Sequence, residues 1–277
     1  VVTLAQVVEV LDGLYDPRWA ADWDAVGLVC GDPDAEVRRI LFAVDPVAEV
    51  AREALDWPAD LIVTHHPLFL RGVHGVPATT PKGRLVHSLI RAGTALHVCH
   101  TNADAADPGV SDALAGALGL TDLRPLDPRP DTPWLGVGRV GVLPTPEPLA
   151  AFGRRVAGAL PPTAHGVRVA GDPERTVATV AVCGGAGDSY LDTVRTLGVD
   201  AYVTADLRHH PASEAAEHPG APALLDVAHW ASEWLWLDDA ADRLRGVLAE
   251  RGTTVETRVS TLCTDPWASH ADQGGTL

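Results

Sequence analysis

Short apolar runs alternating with helical stretches constrain this chain more than any other feature. "RILFAVD" (39–45) reads as a strand and "VAEVAREAL" (47–55) as a helix. "DLIVT" (60–64) is a second strand, "PKGRLVHSLIRAG" (81–93) a helix opened by proline, and "ALHVC" (95–99) a third strand. "SDALAGALGL" (111–120) closes this block as a helix. Elements in this order are the signature of an α/β fold.

The second half repeats the theme. "TVATVAVCGG" (176–185) runs from a strand into a glycine turn, and "SYLDTVRTLG" (189–198) is a helix. "DAYVT" (200–204) and "ALLDV" (223–227) are further strands. "ADLIVTHHP" rhymes with "VDAYVTADLRHHP", and in each half a later apolar strand runs into a histidine, "ALHVCHTNAD" and "ALLDVAHWASE". The expectation is two related α/β lobes, residues 1–125 and 126–277, each a mixed sheet flanked by helices. Internal repetition of this kind often places a site between the repeats. The proline-rich stretch 124–134, "RPLDPRPDTPW", reads as the linker.

Composition removes several classes of function. The 277 residues carry 21 Lys+Arg against 37 Asp+Glu, a formal charge of −16. Nonspecific nucleic-acid binding needs a basic face that displaces counterions, so nucleic acid is disfavoured as a partner. Cys30, Cys99, Cys183 and Cys263 form no CxxC pair, a pattern that suits a reducing cytoplasm better than a disulfide framework. The N-terminal segment carries Glu9 and Asp12 and an apolar stripe of Leu4, Val7, Val8 and Leu11. It reads as an amphipathic helix rather than a signal peptide. No segment approaches the roughly 20 apolar residues of a membrane span.

Ligands of open α/β sheets bind beyond the carboxyl ends of the strands, so the residues there are the candidates for chemistry. After "DLIVT" come His65 and His66; after "ALHVC" come His100 and Asp104. After "DAYVT" come Asp206, His209 and His210, and after "ALLDV" come His229 and Glu233. Imidazoles and carboxylates are ligands of Zn, Mn, Fe or Ni rather than of thiolate-bound centres. Pro67 keeps His66 out of the α region, so both adjacent histidines can enter one pocket, one for each of two ions. His229 and Glu233 are spaced i, i+4 and share a helix face, so the C-terminal helix of the second lobe is expected to contribute metal ligands. His65, His66, Asp104, His229 and Glu233 would bring a charge of −2 to two divalent ions. The remaining positive charge favours a bridging hydroxide, the nucleophile of two-metal hydrolases.

Taken singly, a histidine at a strand end is more often an incidental residue than a ligand; the four post-strand positions together carry the weight. "CGGAGDS" (183–189) is either a phosphate cradle or a tight glycine turn, and it lacks the GxSxG elbow of serine esterases. His97, inside a strand, reads as structural. Trp230, Trp234 and Trp236 read as packing or oligomer contacts, and Asp24, Asp45 and Asp206 as ordinary loop or cap residues.

"WDAVGLVCGD" (23–32), "VTHHP", "HTNAD", "GVGRVGVLP" (136–144), "VAVCGGAGDS", "DAYVTADLRHH" and "HWASE" stand here in an order that resembles the Nif-three-like family of dinuclear-metal proteins, the GTP cyclohydrolase I type 2 homologues. The resemblance runs from about Trp23 to about Trp267. It implies two α/β lobes enclosing a metal-binding cleft, two metal ions held there, and a homo-oligomeric, hexameric ring. It carries the family's ligands onto His65, His66, Asp104, His229 and Glu233, with His100 close by as a neighbouring group or proton shuttle. Ala25 stands where the family commonly has Asn, and Ala103 where Leu is usual; both bear on substrate contacts more than on metal. The insert that some members carry between the lobes is absent.

The function implied is a metal-dependent hydrolase of the GTP cyclohydrolase I type 2 kind, opening a purine-ring C–N bond of a small-molecule substrate. The alternative is a non-catalytic metal-binding, metal-delivery or scaffold protein that forms a ring.

Overall fold

The structure, a computed structural model, describes residues 1–271. The chain divides into two compact units. One holds Val1–Val110 and Trp236–Thr264; the other holds Ser111–Leu235 and the segment beginning at Asp265. Among the described residues each unit is built on one main sheet of mixed strand direction, flanked by helices.

In the first unit the sheet order is Glu256–Val259, Arg39–Ala43, Leu61–Thr64, Ala95–Val98, Gly27–Cys30. The first four run parallel and Gly27–Cys30 is antiparallel to its neighbour. Successive side chains of a strand point to opposite faces, and this sheet is buried on both. Leu41, Ala43, Ile62 and Leu96 pack with Val50, Ala54, Leu85 and Leu89 of the helices Ala48–Asp56 and Pro81–Ala92. The helices Leu4–Leu14 and Trp236–Glu250 pack on one another, and the second also contacts the Arg39–Ala43 strand.

Local sequence explains how these elements start and stop. Thr3 and Gln6 form a capping box at the first helix. Its buried stripe is Leu4, Val7, Val10 and Leu11, with Val10 taking the place expected for Val8. The Pro81–Ala92 helix starts with Thr80 accepting from the Gly83 N–H and ends on left-handed Gly93 (φ 72°).

In the second unit the order is Thr121–Arg129, Thr132–Pro148, Thr176–Ala186, Ala201–Ala205, Ala223–Val227, Val167–Ala170. The Thr176–Ala186, Ala201–Ala205 and Ala223–Val227 strands are parallel, and the flanking pairs are antiparallel. Alternation again sorts the faces. Val180, Val182, Ala201, Val203 and Leu225 pack with Leu149, Phe152 and Val156 of the helix Leu149–Ala159. Ala181, Cys183, Tyr202 and Leu224 pack with Leu191 and Val194 of the helix Leu191–Leu197. The half-repeat read from sequence is thus a β-α-β-α-β run of three parallel strands in each unit.

Three expectations about organisation are corrected. The stretch 124–134 is no linker: it lies in the antiparallel hairpin of Thr121–Arg129 and Thr132–Pro148. Thr121–Arg129 is an edge strand, the place in a sheet where prolines such as Pro125 and Pro128 are tolerated. The units do not divide at residue 125, because the chain enters the second unit at Ser111 and leaves it after Leu235. The C-terminal helix Trp236–Glu250 therefore belongs to the first unit, its strand Glu256–Val259 completing that sheet, while His229 and Glu233 lie on a separate short helix, His229–Trp234, in the second. Among the described residues no helix is long and apolar enough to cross a membrane.

Candidate metal centre

In the first unit the strand Leu61–Thr64 delivers His65 and His66 at its carboxyl end. The ladder continues past the strand: His65 N–H donates to Ala43 O and His66 N–H to Val44 O, at 3.2 and 2.9 Å. The Thr64 hydroxyl closes the turn by donating to His66 O at 2.9 Å. The neighbouring strand Ala95–Val98 delivers His100, the residue just before the short helix Thr101–Ala105. The coordinating nitrogens of His65, His66 and His100 all lie within 4.8 Å of one another.

Each of these rings is anchored through Nδ1. His65 Nδ1 lies 2.9 Å from the carbonyl oxygen of Cys99. His66 Nδ1 lies 2.7 Å from Asp45 Oδ1, and His100 Nδ1 lies 2.8 Å from Asp24 Oδ1. Carbonyl and carboxylate oxygens only accept, so each Nδ1 is the protonated, donating nitrogen. The lone pair is then on Nε2, the tautomer a metal ligand needs.

The supporting acceptors are themselves held. Asp45 Oδ2 accepts from the Thr264 hydroxyl at 2.5 Å. Asp24 Oδ2 accepts from the Thr101 N–H at 3.0 Å and from the Thr101 hydroxyl. Burial would raise the Asp24 carboxyl, but the hydrogen bonds from His100 and Thr101 hold it far below the usual carboxylate range.

His65 is fully buried, with Trp236 5.5 Å away ring to ring. Trp236 Nε1 donates to the Tyr15 hydroxyl at 3.1 Å, and Asn102 Nδ2 to the Tyr15 carbonyl at 2.7 Å. Asp104, in the first turn after His100, puts Oδ1 3.7 Å from His65 Nε2. The His65 imidazole thus lies in a packed shell of aromatic and hydrogen-bonded side chains.

In the second unit the corresponding strand ends carry the other candidates. His229 opens the helix His229–Trp234, and its Nδ1 lies 2.7 Å from Asp206 Oδ2. Its Nε2 lies 3.0 Å from Oε1 of the buried Glu233, as the i, i+4 spacing requires. Burial opposes a charge on His229, but the Glu233 and Asp206 carboxylates outweigh it and raise the imidazole to about 11. A divalent ion between Nε2 and the carboxylate would replace that proton.

The glycine turn after Thr176–Ala186 makes room for this pair. Gly185 sits at φ +70°, where a Cβ would fall 2.4 Å from Glu233 Oε1 and 3.2 Å from His229 Nε2. Its N–H donates to Ser232 Oγ at 2.8 Å and its carbonyl accepts from Thr204 Oγ1 at 3.0 Å. The turn is a backbone wall against the His229 and Glu233 head groups.

The donor set fits a divalent cation: imidazoles anchored through Nδ1 with Nε2 left for a ligand, a buried carboxylate, and a cradle cut to the size of the head groups. Within the first unit the structure brings together His65, His66 and His100, with Asp104 beside His65. Within the second it pairs His229 with Glu233. His209 and His210, which also follow a strand, lie exposed on the helix His209–Glu217 and join no candidate metal group among the described residues. Asp24, Asp45 and Asp206 were read as ordinary loop residues, yet each orients a histidine. Their partners lie 76, 21 and 23 positions away in sequence, and one regularity could have found them: each lies just beyond a strand or in a tight loop of the same unit.

The chain belongs to the Duf34/NIF3 (NGG1p interacting factor 3) family, whose family model matches residues 2–266. A Streptomyces coelicolor protein called GTP cyclohydrolase 1 type 2 homolog is 56% identical over 269 residues, covering 96% of this chain and 94% of its own. A Mycobacterium tuberculosis protein of the same name is 41% identical over 372 aligned residues, covering 96% and 97%. Among solved structures, the Bacillus cereus protein related to NIF3 matches with a TM-score of 0.89 at 22% identity, covering 96% and 98% of the two chains. A Staphylococcus aureus protein matches with a TM-score of 0.85 at 26% identity over the same shares.

Proposed function

We propose that this chain binds two divalent metal ions through His65, His66, Asp104, His229 and Glu233 and uses them as a hydrolytic centre. One observation carries the reading: His65, His66 and His229 each have Nδ1 committed to an oxygen acceptor, leaving Nε2 as the coordinating atom. The ligand set is three imidazoles and the carboxylates of Asp104 and Glu233, a composition that suits Zn, Fe, Mn or Ni.

Bound ions would supply Lewis acidity and a water of lowered pKa. The chain's own residues do the rest. Asp45, Asp206 and the Cys99 carbonyl fix ring orientation, and the packed shell around His65 limits water. His100, its ring held through Nδ1 by the Asp24 carboxylate, presents Nε2 to accept a proton. That makes it the group for moving protons between water and leaving nitrogen.

The relatives' shared name, GTP cyclohydrolase 1 type 2 homolog, supplies the reaction to try first: water addition to the purine imidazole ring of GTP and C–N cleavage. A hexameric ring in a reducing cytoplasm completes the proposal; no disulfide joins the described cysteines. The test is release of formate from GTP by protein loaded with Mn, Fe or Zn, with metal content measured on the same samples. Formate release abolished by His65→Ala and Glu233→Ala supports the hydrolase. Tightly held metal with no turnover of GTP by any of the three forms removes the GTP reaction and leaves a metal-carrying protein.

A further inference from the structure

A cavity of about 690 Å³ lies within the first unit, with His66 and Asp45 in its wall. Two helices form its sides. Ala48, Ala51, Arg52 and Leu55 recur at i, i+3, i+4 and i+7, one face of Ala48–Asp56. Pro81, Lys82, Leu85 and Ser88 come from the facing side of Pro81–Ala92, and Pro67 and Leu68 continue the wall from the histidine turn. The volume is that of a small-molecule site.

Charge singles this cavity out. Its charged lining residues are Arg52, Lys82 and Arg84 against Asp45 alone, a local excess of two positive charges on a chain of net −16. Asp45 is already engaged, holding His66 and the Thr264 hydroxyl. Lys82 is the single lysine of the 277 residues. Its Nζ is pinned at the wall by donation to Leu68 O at 2.5 Å and lies 5.8 Å from the Phe69 ring centroid. An ammonium has three N–H donors, so two remain for a ligand. Arg84 donates to Thr79 O at 3.2 Å, and Arg52 makes no hydrogen bond or ion pair among the described residues.

We propose that this cavity binds a nucleoside phosphate, with the phosphate held by Lys82 and Arg52 and the base against the apolar wall that leads to His66. A phosphate oxygen accepts charge-assisted hydrogen bonds from ammonium and guanidinium groups, about twice as strong as neutral ones. Val47, Ala51, Leu55 and Leu85 offer the base an apolar surface. The position of His66 would bring the far end of such a ligand to the proposed metal centre. Only that last point rests on the hydrolase reading; the binding itself does not.

The test is calorimetric titration of the full chain, metal-stripped and Mn-loaded, with GMP and guanosine as probes. GMP is expected to bind at least about tenfold more tightly than guanosine. Lys82→Ala and Arg52→Ala should each weaken GMP about tenfold, leave guanosine unchanged and leave metal content unchanged, while Lys82→Arg retains most of the affinity. Equal affinities for GMP and guanosine, no GMP binding by either form, or wild-type GMP binding by Lys82→Ala would overturn the assignment. Lys82-dependent GMP binding with no formate from GTP would sustain the pocket and remove the hydrolase. Formate release with a KM for GTP untouched by Lys82→Ala would do the reverse.

Discussion

The Asp45 carboxylate stands 2.7 Å from Nδ1 of His66, with its second oxygen occupied by Thr264. This pair sets which nitrogen of His66 faces the candidate centre. Asp45→Ala removes the acceptor and frees the ring to rotate and change tautomer. Metal affinity should fall roughly 10- to 100-fold, read by competition with a chelator of known affinity, while the fold is retained.

Gly185 is required by space as well as by conformation. Gly185→Ala would place a methyl 2.4 Å from Glu233 Oε1 at a backbone φ of +70°. The left-handed backbone alone costs about 1 kcal/mol for a residue with a side chain. The expected result is a lower thermal midpoint together with weakened metal binding. A variant with a lowered midpoint and unchanged metal affinity would separate Gly185 from the His229 and Glu233 head groups.

Arg139 is buried, and its guanidinium meets Asp112 through two bonds of 2.7 Å while donating to Gly136 O and Gly138 O. Asp112→Ala removes the carboxylate that meets this buried guanidinium. Loss of a buried partner costs about 3 kcal/mol or more. Denaturant unfolding should show it, and Arg139→Met added to Asp112→Ala should recover part of the loss.

Asp200 gives a pH dependence away from the metal residues. Its carboxylate accepts from the N–H groups of Ala178 and Thr179 and from the Thr179 hydroxyl. Partial burial would raise its pKa, but these hydrogen bonds prevail and hold it below the ordinary 3.8. A lowered folded-state pKa stabilises the protein above the unfolded value and is lost as pH falls through the folded one. Asp200→Asn should cost about 1 kcal/mol at pH 7, the low end because the group is partly solvated. The difference from wild type should shrink below the unfolded-state value of 3.8 as pH falls.

How far the sequence went is clearest residue by residue. The apolar runs 61–64, 95–98, 201–205 and 223–227 became strands, because continuous burial on both faces leaves a distinctive run of apolar residues. His65, His66, His100 and His229 were legible because strand ends are where an α/β sheet presents side chains. Asp24, Asp45 and Asp206 were not, since an aspartate in a loop looks the same whether it caps a turn or aims an imidazole. The hairpin 121–148 was hidden by its prolines, which an edge strand tolerates and a linker also contains. The return of Trp236–Glu250 to the first unit was hidden as well; amphipathic periodicity tells which face of a helix is buried but not against which sheet.

The central claim is a metal centre built on histidines with fixed tautomers. Elemental analysis of protein purified without added metal, wild type beside His65→Ala and His66→Ala, measures it most directly. A dinuclear centre gives two equivalents of divalent metal per chain in the wild type and a loss in both variants. Wild-type protein that stays metal-free even after incubation with Mn, Fe and Zn, or variants that hold as much metal as the wild type, would contradict it.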